Sequence, residues 1–252
     1  MVTVNELYGI INKVVPKELS CEWDNDGRMV VPCPEKTVEK ILICLDVTEE
    51  AVDYAIEKGF DCIISHHPLI FSPLKAVDAD NHICRKVCKL IKNDIAVFSF
   101  HTRLDSVGGG VNDALADEIG LREVTKFSDV GRIAHCPPEE LCGFVARVKE
   151  RLSSDRPLVC VDGGKKVSRV AIVGGSGKGY LEEAVENGCD TFLTGEMPFN
   201  CEHDAKELGI NLICAGHYYT ENLVCKRIKL LVENKVQGIV TEIYATNPAF
   251  FK

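Results

Sequence analysis

AVDYAIEKGFDCIIS, residues 51–65, and YLEEAVENGCDTFLT, residues 180–194, repeat one pattern. Ala55, Glu57, Gly59 and Asp61 recur as Ala184, Glu186, Gly188 and Asp190 at a constant offset of 129, and Ser65 and Thr194 follow at the same offset. Upstream, ILICLD from Ile41 corresponds to VAIVGG from Val170, again 129 residues on. Each copy predicts strand, helix, glycine turn, strand. Gly59 and Gly188 fall where a helix end needs a left-handed residue, and CIIS and TFLT are short and apolar, as buried strands are. A third strand follows in each copy, IAVFSF from Ile95 and INLICA from Ile210.

Working outward, the matched landmarks predict an α/β fold of two related α/β domains, an internal duplication, with functional groups beyond the strand C-termini. Domain boundaries at 1–120 and 121–252 follow. Between the copies, PPEELCGFVARVKERL reads as a helix started by Pro137-Pro138, flanked by strand-like GRIAHC and PLVCVD. The chain closes with GIVTEIYATNPAFF, a strand and then an irregular tail. At the other end, Leu7, Ile10, Ile11, Val14 and Val15 mark one face of an amphipathic helix.

The composition, 46% hydrophobic and 27% charged, is that of a globular chain. No apolar run approaches the ~18 residues a membrane span needs, and the N-terminus lacks the pattern of a signal peptide, so a cytoplasmic location is expected. The 13 cysteines are odd in number and contain no C-x-x-C pair. Cys44, Cys62, Cys160, Cys189 and Cys214 lie in apolar runs, which predicts free thiols rather than disulfides. A net charge of -9 argues against a broad nucleic-acid surface, but leaves room for a small anionic ligand beside bound cations.

The chemistry concentrates at strand ends. IISHHPLIF puts His66 and His67 after a buried strand; the pair reads either as ligands of two neighbouring metals or as a capping histidine with a solvated neighbour. His101-Thr-Arg-Leu-Asp105 and His217-Tyr-Tyr-Thr-Glu221 each place imidazole and carboxylate four residues apart, at an offset of 116. The drop from 129 to 116 implies 13 extra residues in the first copy, which FSPLKAVDADNHI supplies. His66, His67, Asp105, His217 and Glu221 would leave positions open on two divalent ions, Glu221 being the candidate bridge; one metal with a partial set is the rival. Zinc, iron, manganese or nickel suits such ligands. His101 matches His217 by the repeat and is a ligand, a hydrogen-bonding neighbour of one, or a proton carrier. Glu196, in Thr194-Gly195-Glu196, occupies the place of the HHP segment and is a candidate acid or base. Gly108–Gly110 reads either as an anion cradle at a helix N-terminus or as a plain loop-to-helix junction, and the stretch Gly174–Gly179, which satisfies no full phosphate motif, either as a phosphate cradle or as a tight turn. His203 is expected on a helix; His82 and His135 read as surface or loop residues.

The landmarks WDN at Trp23, LDVT at Leu45, SHHPLIF at Ser65, HTRLD at His101, GGVNDALA at Gly109, VGGSG at Val173, TGE at Thr194 and AGHYYTE at Ala215 span nearly the whole chain. In this order they resemble the YbgI-type dinuclear metal-centre family, whose members often carry the name GTP cyclohydrolase 1 type 2 homologue. The resemblance implies a toroidal homohexamer of two-domain α/β subunits, a metal pair facing an internal cavity, and ligands at His66, His67, Asp105, His217 and Glu221. It implies that His101 lies nearby without being a usual ligand. Two departures bear on the pocket: Asp26-Gly27-Arg28-Met29 replaces a commonly apolar stretch after WDN, and Arg103 stands where a small polar residue is common. The extra domain that some members insert between the halves has no room here.

Two functions follow as expectations. The first is a metal-dependent hydrolase acting on a nucleotide or phosphorylated small molecule, opening the purine ring near C8 if the GTP cyclohydrolase name applies, with His101 or Glu196 shuttling protons. The second is a non-catalytic metal-binding scaffold or interaction protein.

Overall fold

The computed structural model describes residues 2–247. A two-residue strand, β1 (Val2–Thr3), delivers Thr3 as the N-cap of α1 (Val4–Val14). The Thr3 hydroxyl accepts from the Glu6 amide and the Glu6 carboxylate accepts from the Thr3 amide, a reciprocal capping box. Val4, Leu7 and Ile11 fill the buried face of α1, whereas Val14, expected there, is 37% exposed. Then come β2 (Gly27–Val30), β3 (Thr37–Val38), β4 (Lys40–Cys44), α2 (Glu49–Lys58), β5 (Cys62–Ser65), α3 (His82–Lys92), β6 (Ala96–Ser99) and α4 (Thr102–Ser106). Ile41, Leu42, Ile43 and Cys44 are all buried, so β4 is covered on both faces, as a parallel strand with no polar alternation must be. Helix α2 starts where the Thr48 hydroxyl accepts from the Ala51 amide and stops at Gly59, whose φ of 66° few side chains tolerate.

The second unit contains α5 (Val111–Glu118), β7 (Arg122–Phe127), β8 (Gly131–Glu139), α6 (Leu141–Arg151), β9 (Val159–Val161), β10 (Val167–Ser176), α7 (Leu181–Glu186), β11 (Thr191–Glu196), α8 (Phe199–Leu208), β12 (Asn211–Cys214) and α9 (His217–Glu221). The chain then returns to the first unit with α10 (Val224–Lys235) and β13 (Val240–Tyr244). The units therefore divide at 107/108, at 223/224 and at 246/247. The reason is a long-range pairing: β13 runs parallel to β4, with Val240 opposite Lys40 and Tyr244 opposite Cys44. The tail after Asn247 lies outside the described residues.

The sheets have the orders β13-β4-β5-β6-β2 and β7-β8-β10-β11-β12-β9. Each holds three parallel strands in chain order, β4-β5-β6 and β10-β11-β12, with an earlier strand antiparallel on the far edge, β2 on β6 and β9 on β12. Register follows the repeat: Ile41 sits opposite Cys62, and Val170 opposite Thr191, both 129 residues on. The two units differ at the other edge and in one loop. Sixteen residues, 66–81, separate β5 from α3, whereas β11 reaches α8 through Met197 and Pro198 alone.

Pro137 and Pro138 do not start α6. They lie near the end of β8, where its register with β10 shifts between His135 and Glu139; a residue without an amide hydrogen fits such a break in the ladder. All thirteen cysteines are free thiols. Cys44, Cys62 and Cys189 are buried as expected, but Cys160 is exposed because β9 is an edge strand. Among the described residues no helix is long and apolar enough to cross a membrane.

Candidate metal centre

In the first unit the ladder runs past β5: the His66 amide donates to the Cys44 carbonyl at 3.3 Å and the His67 amide to the Leu45 carbonyl at 2.9 Å. The Ser65 hydroxyl then donates to the His67 carbonyl at 2.8 Å, folding the backbone back on itself. Simple strand alternation would aim the two rings apart; here their centroids are 5.0 Å from one another. The residue after Phe100, His101, is the N-cap of α4, and Asp105 is the fourth residue of that helix. His66 Nε2 lies 3.7 Å from Asp105 Oδ1. His66, His67 and His101 each offer a ligand atom within 4.8 Å of the others.

Each ring is held by its other nitrogen. His66 Nδ1 donates to the Phe100 carbonyl at 3.0 Å, His67 Nδ1 to Asp46 at 2.8 Å and His101 Nδ1 to Asp24 at 2.9 Å. A carbonyl or carboxylate oxygen accepts only, so the neutral ring carries its lone pair on Nε2. Asp24 also accepts from the Thr102 amide and hydroxyl. Burial pushes the Asp24 carboxyl up, but the bonds from His101 and Thr102 outweigh it and hold the group at about 2.

In the second unit, Gly216 turns the chain out of β12 at a φ of 92° and α9 begins with His217. Four residues on, Glu221 lies on the same helix face, its Oε2 2.9 Å from His217 Nε2. His217 Nδ1 donates to Glu196 at 3.1 Å, the same arrangement as in the first unit. The glycines give this carboxylate its room. A Cβ on Gly175, whose φ is 63°, would stand 2.1 Å from Glu221 Oε1 and 3.0 Å from His217 Nε2. Gly174 and Gly175 donate their amides to Asn112 at 2.7 Å and Thr220 at 3.1 Å, so the run serves internal acceptors as a tight turn. The Gly109 amide is likewise occupied by Asp113, at 3.0 Å.

The structure corrects the repeat alignment at one point. Phe100 donates to the Ser65 carbonyl and Ala215 to the Thr194 carbonyl, an offset of 115. His101 and Gly216 are then the two N-caps. His101 therefore matches Gly216, not His217, and Glu221 matches Ser106. The second copy reaches the same H-x-x-x-acid spacing one residue later.

The sequence alone assigns no role to Asp24 and Asp46, the carboxylates behind His101 and His67. Asp24 and Asp46 were visible only as parts of WDN and LDVT. The two departures prove to be partners: Arg103 Nε donates to Asp26 at 2.8 Å, and its Nη1 donates to Asn12 at 2.7 Å and the Val15 carbonyl at 3.1 Å. The guanidinium lies 4.4 Å over the Phe100 ring, and Lys17 and Ser20 also bond Asp26. His203, on α8, packs on Phe199, and His135, on β8, bonds Arg169; neither belongs to these sets.

The donor set fits divalent cations. Two atoms that each bind one ion at about 2.0–2.2 Å stand roughly 3 Å apart, near the 2.9 Å of the His217–Glu221 pair. Imidazoles pinned through Nδ1 by oxygen acceptors are the usual support of metal ligands.

The family model Duf34/NIF3 (NGG1p interacting factor 3) matches residues 2–248. A Clostridium perfringens protein named GTP cyclohydrolase 1 type 2 homolog is 32% identical over 252 residues, covering 95% of this chain and 96% of that relative. The crystal structure of Staphylococcus aureus hypothetical protein SA1388 superposes with a TM-score of 0.89 at 30% identity, covering 99% and 98% of the two chains. The structure of protein ybgI, described as of unknown function, gives 0.89 at 24% identity over 98% and 100%, a likeness of fold. The chain belongs to the Duf34/NIF3 family.

Proposed function

We propose that His66, His67, Asp105, His217 and Glu221 hold two divalent cations, and that the chain is a hydrolase of a nucleotide or related phosphorylated small molecule. One observation carries the reading: every imidazole of both half-sets has its Nδ1 fixed on an oxygen acceptor, so Nε2 is the atom offered. The relative named GTP cyclohydrolase 1 type 2 homolog supports the nucleotide substrate. Bound, the cations would supply Lewis acidity and lower the pKa of water.

The chain's own groups do the rest. His101, oriented by Asp24 within the imidazole cluster, exchanges a proton with substrate at Nε2. Glu196 orients His217 through Oε1, and its exposed carboxylate is the second candidate for proton transfer. Assembly as a homohexamer in the cytoplasm belongs to the same proposal.

The test is turnover of GTP and a panel of phosphoesters by protein loaded with zinc, iron, manganese or nickel. Product release that depends on metal and falls at least ~100-fold in Asp105→Ala is expected. Full metal occupancy with no turnover across the panel would instead identify a metal-binding scaffold.

A further inference from the structure

Trp23 and Phe71 are large apolar side chains left 64% and 50% exposed. Their rings lie 6.2 Å apart and inclined at 57°. Each also meets the His101 imidazole near edge-on, Trp23 at 6.1 Å and Phe71 at 6.3 Å. The two come from separate loops, and both loops are fastened. Next to Trp23, Asp24 is bonded to His101 and Thr102, and Asn25 donates its side-chain amide to the Ile70 carbonyl at 2.6 Å. That last bond joins the two loops directly, from two residues after Trp23 to the residue before Phe71.

An exposed aromatic pair costs solvation that burial would recover, and here the surrounding polar bonds hold it in place rather than letting it collapse inward. Rigid aromatic faces at a polar site are what planar bases stack on, at about 1–3 kcal/mol per base. Both rings abut the ring proposed for proton transfer, so a planar heteroaromatic group stacked on an exposed face of the pair lies beside His101. We propose that Trp23 and Phe71 form the platform for the nucleobase of the substrate, which rests on the hydrolase reading above and narrows it to substrates with a planar base. A sugar phosphate without a base would lack this contact.

Trp23 is the only tryptophan in the chain, so its emission reports the platform directly. The full-length, metal-loaded protein is titrated with guanosine and adenosine, and with ribose 5-phosphate as the ligand lacking a base. Saturable quenching by the nucleosides alone is expected, weakened about 5- to 150-fold in Phe71→Ala, the span that the stacking energy implies. Trp23→Phe, read by calorimetry, is expected to keep most of the affinity and Trp23→Leu to lose it. Absence of quenching up to millimolar nucleoside, or equal affinity in Phe71→Ala, would overturn the proposal. A Trp23 emission change that follows dilution and ignores nucleoside would also overturn it, by assigning the pair to a contact between copies. Nucleoside quenching without turnover would leave the platform standing and remove the hydrolase; turnover of ribose 5-phosphate without a base effect would do the reverse.

Discussion

Asp26 and Arg103 form an ion pair at 2.8 Å in which neither side chain is exposed. A charge removed from water in this way must be matched, because desolvation costs several kcal/mol per ion. Arg103 is matched by Asp26, by Asn12, by the Val15 carbonyl and by the Phe100 face, and Asp26 in turn accepts from the His101 amide at 3.2 Å. The pair thus ties α1, the segment after Trp23 and the start of α4 into one unit beneath His101. Asp26→Leu should destabilise the protein by about 3–5 kcal/mol, since it leaves a buried guanidinium without its counterion. Asp26→Leu with Arg103→Met should recover most of that loss, as measured by urea denaturation midpoints.

Asp24 gives the stability a defined acid limb. Its carboxyl is held at about 2, below the ordinary value of 3.8, so the folded state binds its proton less readily than the unfolded one. The stabilisation is complete above about 3.8 and is lost as pH falls through about 2. The shift corresponds to about 2 kcal/mol. Asp24→Asn should lower stability by about that amount at neutral pH and flatten the acid limb between those values, measured by denaturation across the pH range.

Gly175 separates a packing effect from a backbone effect. Gly175→Ala places a methyl on Glu221 Oε1, so bound metal should fall by at least half while the fold survives with a loss of roughly 1–3 kcal/mol. Gly59→Ala is the control. Its φ is also positive at 66°, but no atom lies within 4 Å of the added Cβ, so stability should fall by about 1 kcal/mol with metal content unchanged. Elemental analysis alongside thermal denaturation distinguishes the two.

Asp46 orients His67 from a half-exposed position, 2.8 Å from Nδ1. Asp46→Ala should weaken metal binding about 10- to 100-fold with little change in stability. Equilibrium titration with zinc against a competing chelator measures it.

What the sequence disclosed, it disclosed through local rules. Gly59 and Gly188 mark helix ends because only a left-handed residue fits there, and both have positive φ. The candidate ligands were legible because they sit immediately beyond short apolar strands. What stayed hidden depends on distant partners. Nothing local to Val240–Tyr244 says that it will pair with Lys40–Cys44 rather than with the strands nearer in sequence. Pro137-Pro138 fits a helix start as well as a strand break, and only the register of β8 against β10 decides. Equal H-x-x-x-acid spacing concealed the single residue by which Gly216 displaces the second copy. Asp24 and Asp46 are two acids among 38, and which of them stands behind an imidazole is a fact of folding.

The central claim, that His66, His67, Asp105, His217 and Glu221 are the ligands of one pair of cations, is tested most directly by an anomalous difference map from a crystal of metal-loaded protein, collected at the absorption edge of the metal. Two peaks per chain, ~3.5–4 Å apart, are predicted, ligated by His66, His67 and Asp105 together with His217 and Glu221. Peaks that touch only one half-set, or none in loaded crystals, would contradict it.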